Sequence, residues 1–139
     1  MKIGNITSKF ASWALLLVGI GHTMAVLTSP ITEQQSNYIQ QMKGFPIEMF
    51  GSNIDIYSFY QGFSLMMGLL LFGYGLINLM ILSMPQVIKL PRNILILNVF
   101  VSLLSFVLSV QYFFTVPVIF TGIALTGFTI TLFTKKIKL

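Results

Sequence analysis

The chain has no cysteine, one histidine and three acidic residues, and only 8% of its 139 residues are charged. Each shortage removes a class of chemistry. Without cysteine there is no disulfide, thiolate nucleophile or sulfur-rich metal site, which excludes membrane thiol oxidation. A single histidine rules out haem held by two histidines. The acids Glu33, Glu48 and Asp55 all fall within residues 33–55. No long apolar run therefore carries the intramembrane carboxylate usual in proton-coupled transport. Walker, GxSxG and HExxH patterns are also missing.

What is abundant is apolar surface. Hydrophobic residues make up 55% of the chain, and soluble proteins average about 25% charged residues. A chain of this length has no interior large enough to hide so much, so lipid must be the solvent. Four runs, Phe10–Thr28, Tyr57–Leu82, Ile94–Thr115 and Pro117–Thr134, match the roughly 20 residues that a helix needs to cross a bilayer core of about 30 Å. The first resembles a secretory signal only in part. His22 interrupts it and Thr23-Met24-Ala25 is a poor cleavage site, so it reads as a retained span.

The basic residues are sorted around these runs. Lys2 and Lys9 precede the first, Lys89 and Arg92 lie between the second and third, and Lys135, Lys136 and Lys138 follow the fourth. Only Lys43 accompanies the three acids in the first connection. The positive-inside rule then places both termini in the cytoplasm and the first loop outside. The net charge of +5 marks topology and an affinity for anionic lipid rather than a nucleic-acid partner.

The expected fold is an all-α membrane protein. It is an antiparallel four-helix transmembrane bundle forming one domain, residues 1–139, with spans at about 10–28, 55–82, 94–115 and 117–134. The outer loop, 29–54, should hold a short amphipathic helix after Ser29-Pro30, running from Ile31 to Lys43 and stopping at Gly44, with a further turn over Pro46–Phe50. Ser52-Asn53-Ile54-Asp55 has the form of a capping box ahead of the second span. The link near Thr115-Val116-Pro117 is short enough to make the last two spans a tight hairpin. Small and polar residues recur at helical spacing and mark the seams: Ala11, Ala14, Val18, Gly21 and Ala25; Gln61, Ser64, Gly68, Gly75 and Asn78; Asn98, Ser102, Ser105 and Ser109; Ala124, Gly127 and Thr131.

Polar residues inside a span are costly and draw attention. Counting from the helix ends, His22, Gln61, Ser64, Gln111 and Thr121 reach one layer about 6–12 Å below the outer face, bordered by Tyr60 and Tyr112. One reading is a pocket lined by His22, Tyr60, Gln61, Ser64, Gln111 and Tyr112 that grips the polar end of an amphipathic molecule such as a quinone, isoprenoid or fatty chain. Gly21, Gly62 and Gly68 would leave room for it. The plainer reading is that His22 bonds Gln61, Ser64 or Gln111 and locks the helices. Asn78 and Asn98 come level on neighbouring spans and read as a structural hydrogen bond, and Asp55 as a helix cap. The eight methionines are gap-fillers rather than copper ligands, so no metal and no cofactor is expected. Two other readings stay open. The small-residue stripes of 117–134, including Gly122, Thr126 and Thr129, suit an accessory subunit of a larger membrane complex. Alternatively, His22 acts as an acid/base with Asp55 or Glu48.

Gly19-Ile20-Gly21-His22, followed by Ser52, Asp55, Tyr57 and Tyr60-Gln61-Gly62-Phe63-Ser64, resembles a group of small bacterial four-span membrane proteins and is distantly similar to the DoxX-like group. The matching motifs lie in the first half of the chain. The resemblance implies a bacterial inner-membrane protein and singles out His22, Tyr60, Gly62 and Ser64. It implies no cofactor and no reaction.

Overall fold

A computed structural model describes residues 2–28, 32–49, 51–87 and 89–134. Its elements are α1 (Lys2–Thr28), α2 (Glu33–Lys43), β1 (Pro46–Met49), β2 (Ser52–Asp55), α3 (Ile56–Ser83), α4 (Arg92–Tyr112) and α5 (Thr115–Phe133). Four helical segments, Ile3–Thr28, Ile56–Ser83, Arg92–Tyr112 and Thr115–Phe133, are long and apolar enough to cross a membrane. Large apolar side chains face outward along them, with Leu69 67% and Phe133 77% exposed. Such surfaces suit lipid, and the chain is a multi-pass membrane protein.

The first span starts well before Phe10. Gly4, Thr7 and Ser8 look too polar for one, yet their polar groups are satisfied from the far end of the chain. The Thr7 and Thr131 hydroxyls lie 2.7 Å apart, Ser8 Oγ donates to Thr131 Oγ1 at 2.9 Å, and Thr131 Oγ1 lies 3.0 Å from the Gly4 carbonyl oxygen. Bonded in this way, they extend the helix at little cost in an apolar medium. At the other end of the chain, α5 starts at Thr115 and the link shrinks to Phe113 and Phe114. Pro117 is thereby in the first turn of α5, where a missing N–H breaks no helical bond.

Helix α1 is central: it packs against α3 on one side and α5 on the other, and α4 packs on α5. Glycines set how closely. A Cβ on Gly75 would lie 2.7 Å from Leu16 N, and one on Gly127 would lie 2.8 Å from the Thr7 carbonyl oxygen. Only a hydrogen lets these backbones meet. The buried seam of α1 runs through Gly4, Ser8, Ala11, Ser12, Leu15 and Gly19, while Gly21 and Ala25, expected in it, are exposed. The apolar core gathers Ala11, Leu15, Leu82, Leu90, Leu95, Ala124 and Phe128, so it sits toward the α3–α4 connection. Lys89 closes that end by donating from Nζ to the Thr134 carbonyl at 2.7 Å, a cation on a helix C-terminus.

The loop between α1 and α3 is not wholly helical or irregular. Beside α2 it holds an antiparallel two-stranded hairpin that pairs Pro46 with Asp55 and Ile47 with Ile54. An all-α description is therefore incomplete, and strands occupy the expected turn at Pro46–Phe50, Phe50 itself lying outside the described residues. Gly51, at φ 81°, supplies the left-handed residue that a tight reversal needs. Caps also differ from expectation. Thr32, in a full capping box with Gln35, starts α2, whereas Ser29, Pro30 and Ile31 lie outside the described residues. Asp55 is the N-cap of α3, in keeping with its reading as a helix cap, while Ser52, the N-cap of the expected box, is engaged in the strand.

Candidate functional site

The contact of α1 with α3 also positions the histidine. A Cβ on Gly19 would sit 2.7 Å from the Gly68 carbonyl oxygen, so the two helices touch there through backbone. His22, one turn beyond Gly19, then meets Ser64, one turn before Gly68. Its Nε2 lies 2.9 Å from Ser64 Oγ and 3.0 Å from the Ser64 carbonyl oxygen. Phe113, just past α4, meets the imidazole edge to face with ring centroids 6.3 Å apart.

Beside this pair lies a cavity of about 510 Å³, with walls from α1, α3, α4, α5 and the Phe113-Phe114 link. It exists because α3 and α4 do not pack closely along their length. What joins them is polar and local. Asn98 Nδ2 donates to Asn78 Oδ1 at 2.7 Å, and the Tyr74 hydroxyl donates to Asn98 Oδ1 at 2.5 Å. Tyr74 and Val101 line the deep end of the cavity and His22, Phe113 and Phe114 the shallow end.

The lining is mainly apolar, with Leu17, Met67, Leu71, Leu108 and Phe120 among it. Polar groups come from His22, Tyr74, Ser105, Ser109 and Thr121. Thr121 donates to the Pro117 carbonyl at 2.7 Å. Among the described residues no lysine, arginine, aspartate or glutamate lines it. A mostly apolar chamber with a few oriented polar groups is how small-molecule sites are built.

The six expected ligand residues part company. His22 lines the cavity and Ser64 holds it in place. Tyr60 and Tyr112 are 62% and 74% exposed, Gln111 is exposed and Gln61 half-buried, and none of the four is in the lining. Depth was the wrong criterion for Gln111, which follows Ser109 by two residues and so points about 200° round the helix. Ser105 and Ser109 share the inward face and are the residues that depth counting passed over. Their spacing of four was the available signal. Gly62 faces open space, whereas Gly68 is needed for the contact with Thr23 and Gly19 rather than for a ligand.

Asp55 accepts from Ser58 N at 2.8 Å and from Ser58 Oγ at 2.7 Å, and these bonds hold its carboxyl below the ordinary aspartate range. Among the described residues no cluster of three or more histidines and acids could hold a metal. Lys43 lies over the Tyr57 ring at 5.2 Å, fastening α2 to the start of α3.

No family model, curated protein or solved structure matches this chain.

Proposed function

We propose that this is a small antiparallel four-helix transmembrane bundle whose cavity between α3 and α4 binds an amphipathic, lipid-like molecule. The observation that carries this reading is the chamber of about 510 Å³. It is apolar along its walls and has a fixed imidazole at one end, the pairing that a molecule with a polar head and an apolar tail requires. In the proposed orientation the termini and the α3–α4 connection are cytoplasmic in a bacterial inner membrane, and α2 with its hairpin faces outside. The lysine pattern supports this, as does the resemblance to small bacterial four-span proteins.

The test is to purify the protein in a mild detergent, extract it with solvent and identify the amphiphile retained. Ser105→Leu, which narrows the chamber midway along α4, should sharply reduce retention. Equal recovery from both proteins would refute the reading. Because the chain has no cysteine, single introduced cysteines at Asn53 and Gln86 report sidedness without background. Labelling of both from the same side would overturn the orientation.

The accessory-subunit reading draws on α5. Part of its second stripe serves inside the molecule, since a Cβ on Gly122 would lie 3.3 Å from Phe106. Thr126 faces outward but bonds the Gly122 carbonyl at 2.8 Å, so its hydroxyl does not require a partner chain. The enzyme reading is weaker still, because His22 is bonded to Ser64 and Asp55 to Ser58.

A further inference from the structure

His22 offers its two nitrogens unequally. A carbonyl oxygen can only accept, so the 3.0 Å approach of Nε2 to the Ser64 carbonyl is a hydrogen bond in the tautomer with the proton on Nε2, while the Ser64 hydroxyl at 2.9 Å suits either tautomer. In the neutral ring Nδ1 is then a bare acceptor. The Nε2–Cδ2 edge is turned to α3, with Cδ2 3.4 Å from where a Gly68 Cβ would lie. Nδ1 lies across the ring from that edge, and His22 lines the cavity. This tautomer also argues against Ser64 as an activated nucleophile, since a general base would need Nε2 unprotonated.

We propose that the cavity selects a neutral amphiphile bearing a hydroxyl group, whose O–H donates to His22 Nδ1 while its apolar tail lies between α3 and α4. The inference rests on the cavity reading above and narrows it to one head-group class. Ligands with only carbonyl or ether oxygens find no donor at His22. Phosphate or carboxylate heads find no cation, because no lysine or arginine among the described residues lines the chamber. Ser105 and Ser109 stand one turn apart on the inward face of α4, and Phe113, one turn beyond Ser109, touches His22. From Phe113 to Val101 the lining spans about 18 Å at 1.5 Å per residue, close to one leaflet of a hydrocarbon core of about 30 Å. The tail would thus lie alongside the lipid chains of a single leaflet.

The test uses the full chain in phosphatidylcholine nanodiscs, with empty nanodiscs as baseline, since common detergents themselves carry hydroxyls. Displacement of tritiated hexadecanol is measured with hexadecanol, its methyl ether and hexadecyl phosphate, which share one tail. The alcohol should compete about five- to tenfold better than the ether, the worth of one hydrogen bond in a dry site. His22→Phe should erase that preference while ether binding persists. If that variant does not fold, the wild-type series still decides. Equal competition by alcohol and ether, or strongest competition by the phosphate, overturns the inference but leaves the cavity reading intact. If no probe is retained above empty nanodiscs, both fall. A second readout does not depend on binding. The histidine is unique, so nitrogen NMR of protein labelled at histidine reports His22 alone. A proton found on Nδ1 would contradict the assignment.

Discussion

The two ends of this molecule are held together by different means. Toward the α3–α4 connection, Phe128, Leu15 and Leu95 are fully buried, glycines bring backbones into contact, and amides and hydroxyls bond across helices. Toward α2 and the hairpin, α3 and α4 separate, and beyond the Gly19–Gly68 approach the imidazole–serine contact joins α1 to α3 beside a cavity. In a lipid solvent there is no water to drive helices together, so close packing and hydrogen bonds decide which parts are rigid. The sealed end concentrates both; the open end gives them up for space.

Five substitutions would sharpen or break this contrast. The largest effect is expected from Phe128→Ala, which empties the centre of the sealed end and should lower stability by about 3–5 kcal/mol, read as thermal unfolding in detergent. Next comes Asn78→Leu, which leaves the buried Asn98 amide short of a partner and should cost about 1–3 kcal/mol. Adding Asn98→Leu should recover part of that loss. If the double variant is no better than the single, the amide pair is not what joins α3 to α4. At the open end, Ser105→Leu should shift stability by less than about 1.5 kcal/mol while sharply reducing ligand retention; a large loss of stability would mean that the chamber is already filled by packing. The smallest change is local. Asp55→Ala should speed amide exchange at Ser58 without moving the midpoint of unfolding. Because its bonds to Ser58 depress the Asp55 pKa, the wild-type cap is fully present above the ordinary aspartate range. It is lost only as the pH falls through and below that range, so the two proteins should converge there.

The sealed end was more legible than the open one. Counting residues from the helix ends brings Asn78 level with Asn98, and the small-residue stripe of α3 names Ser64, Gly68, Gly75 and Asn78, all buried. The pairing of His22 with Ser64 could be read as one of three choices. The start of α1 could not, since the polar Thr7 and Ser8 are tolerated only because Thr131 meets them from the other end of the sequence. Nor could the cavity wall. Which face of α4 turns inward depends on how α5 rotates it, and depth alone gave equal weight to Gln111 and Thr121. The hairpin rests on Gly51 and on a ladder, extended by Ile56 N to the Phe45 carbonyl at 3.1 Å, that no local periodicity announces.

The central place of α1 has a consequence for biogenesis. During synthesis α1 enters the membrane before α3, which can join it as soon as it follows. The hydroxyls of Thr7 and Ser8, however, stay without their Thr131 partner until α5 has been inserted. Helix α1 therefore waits for α5, and ribosome-bound intermediates halted before α5 should be the ones that quality-control proteases recognise.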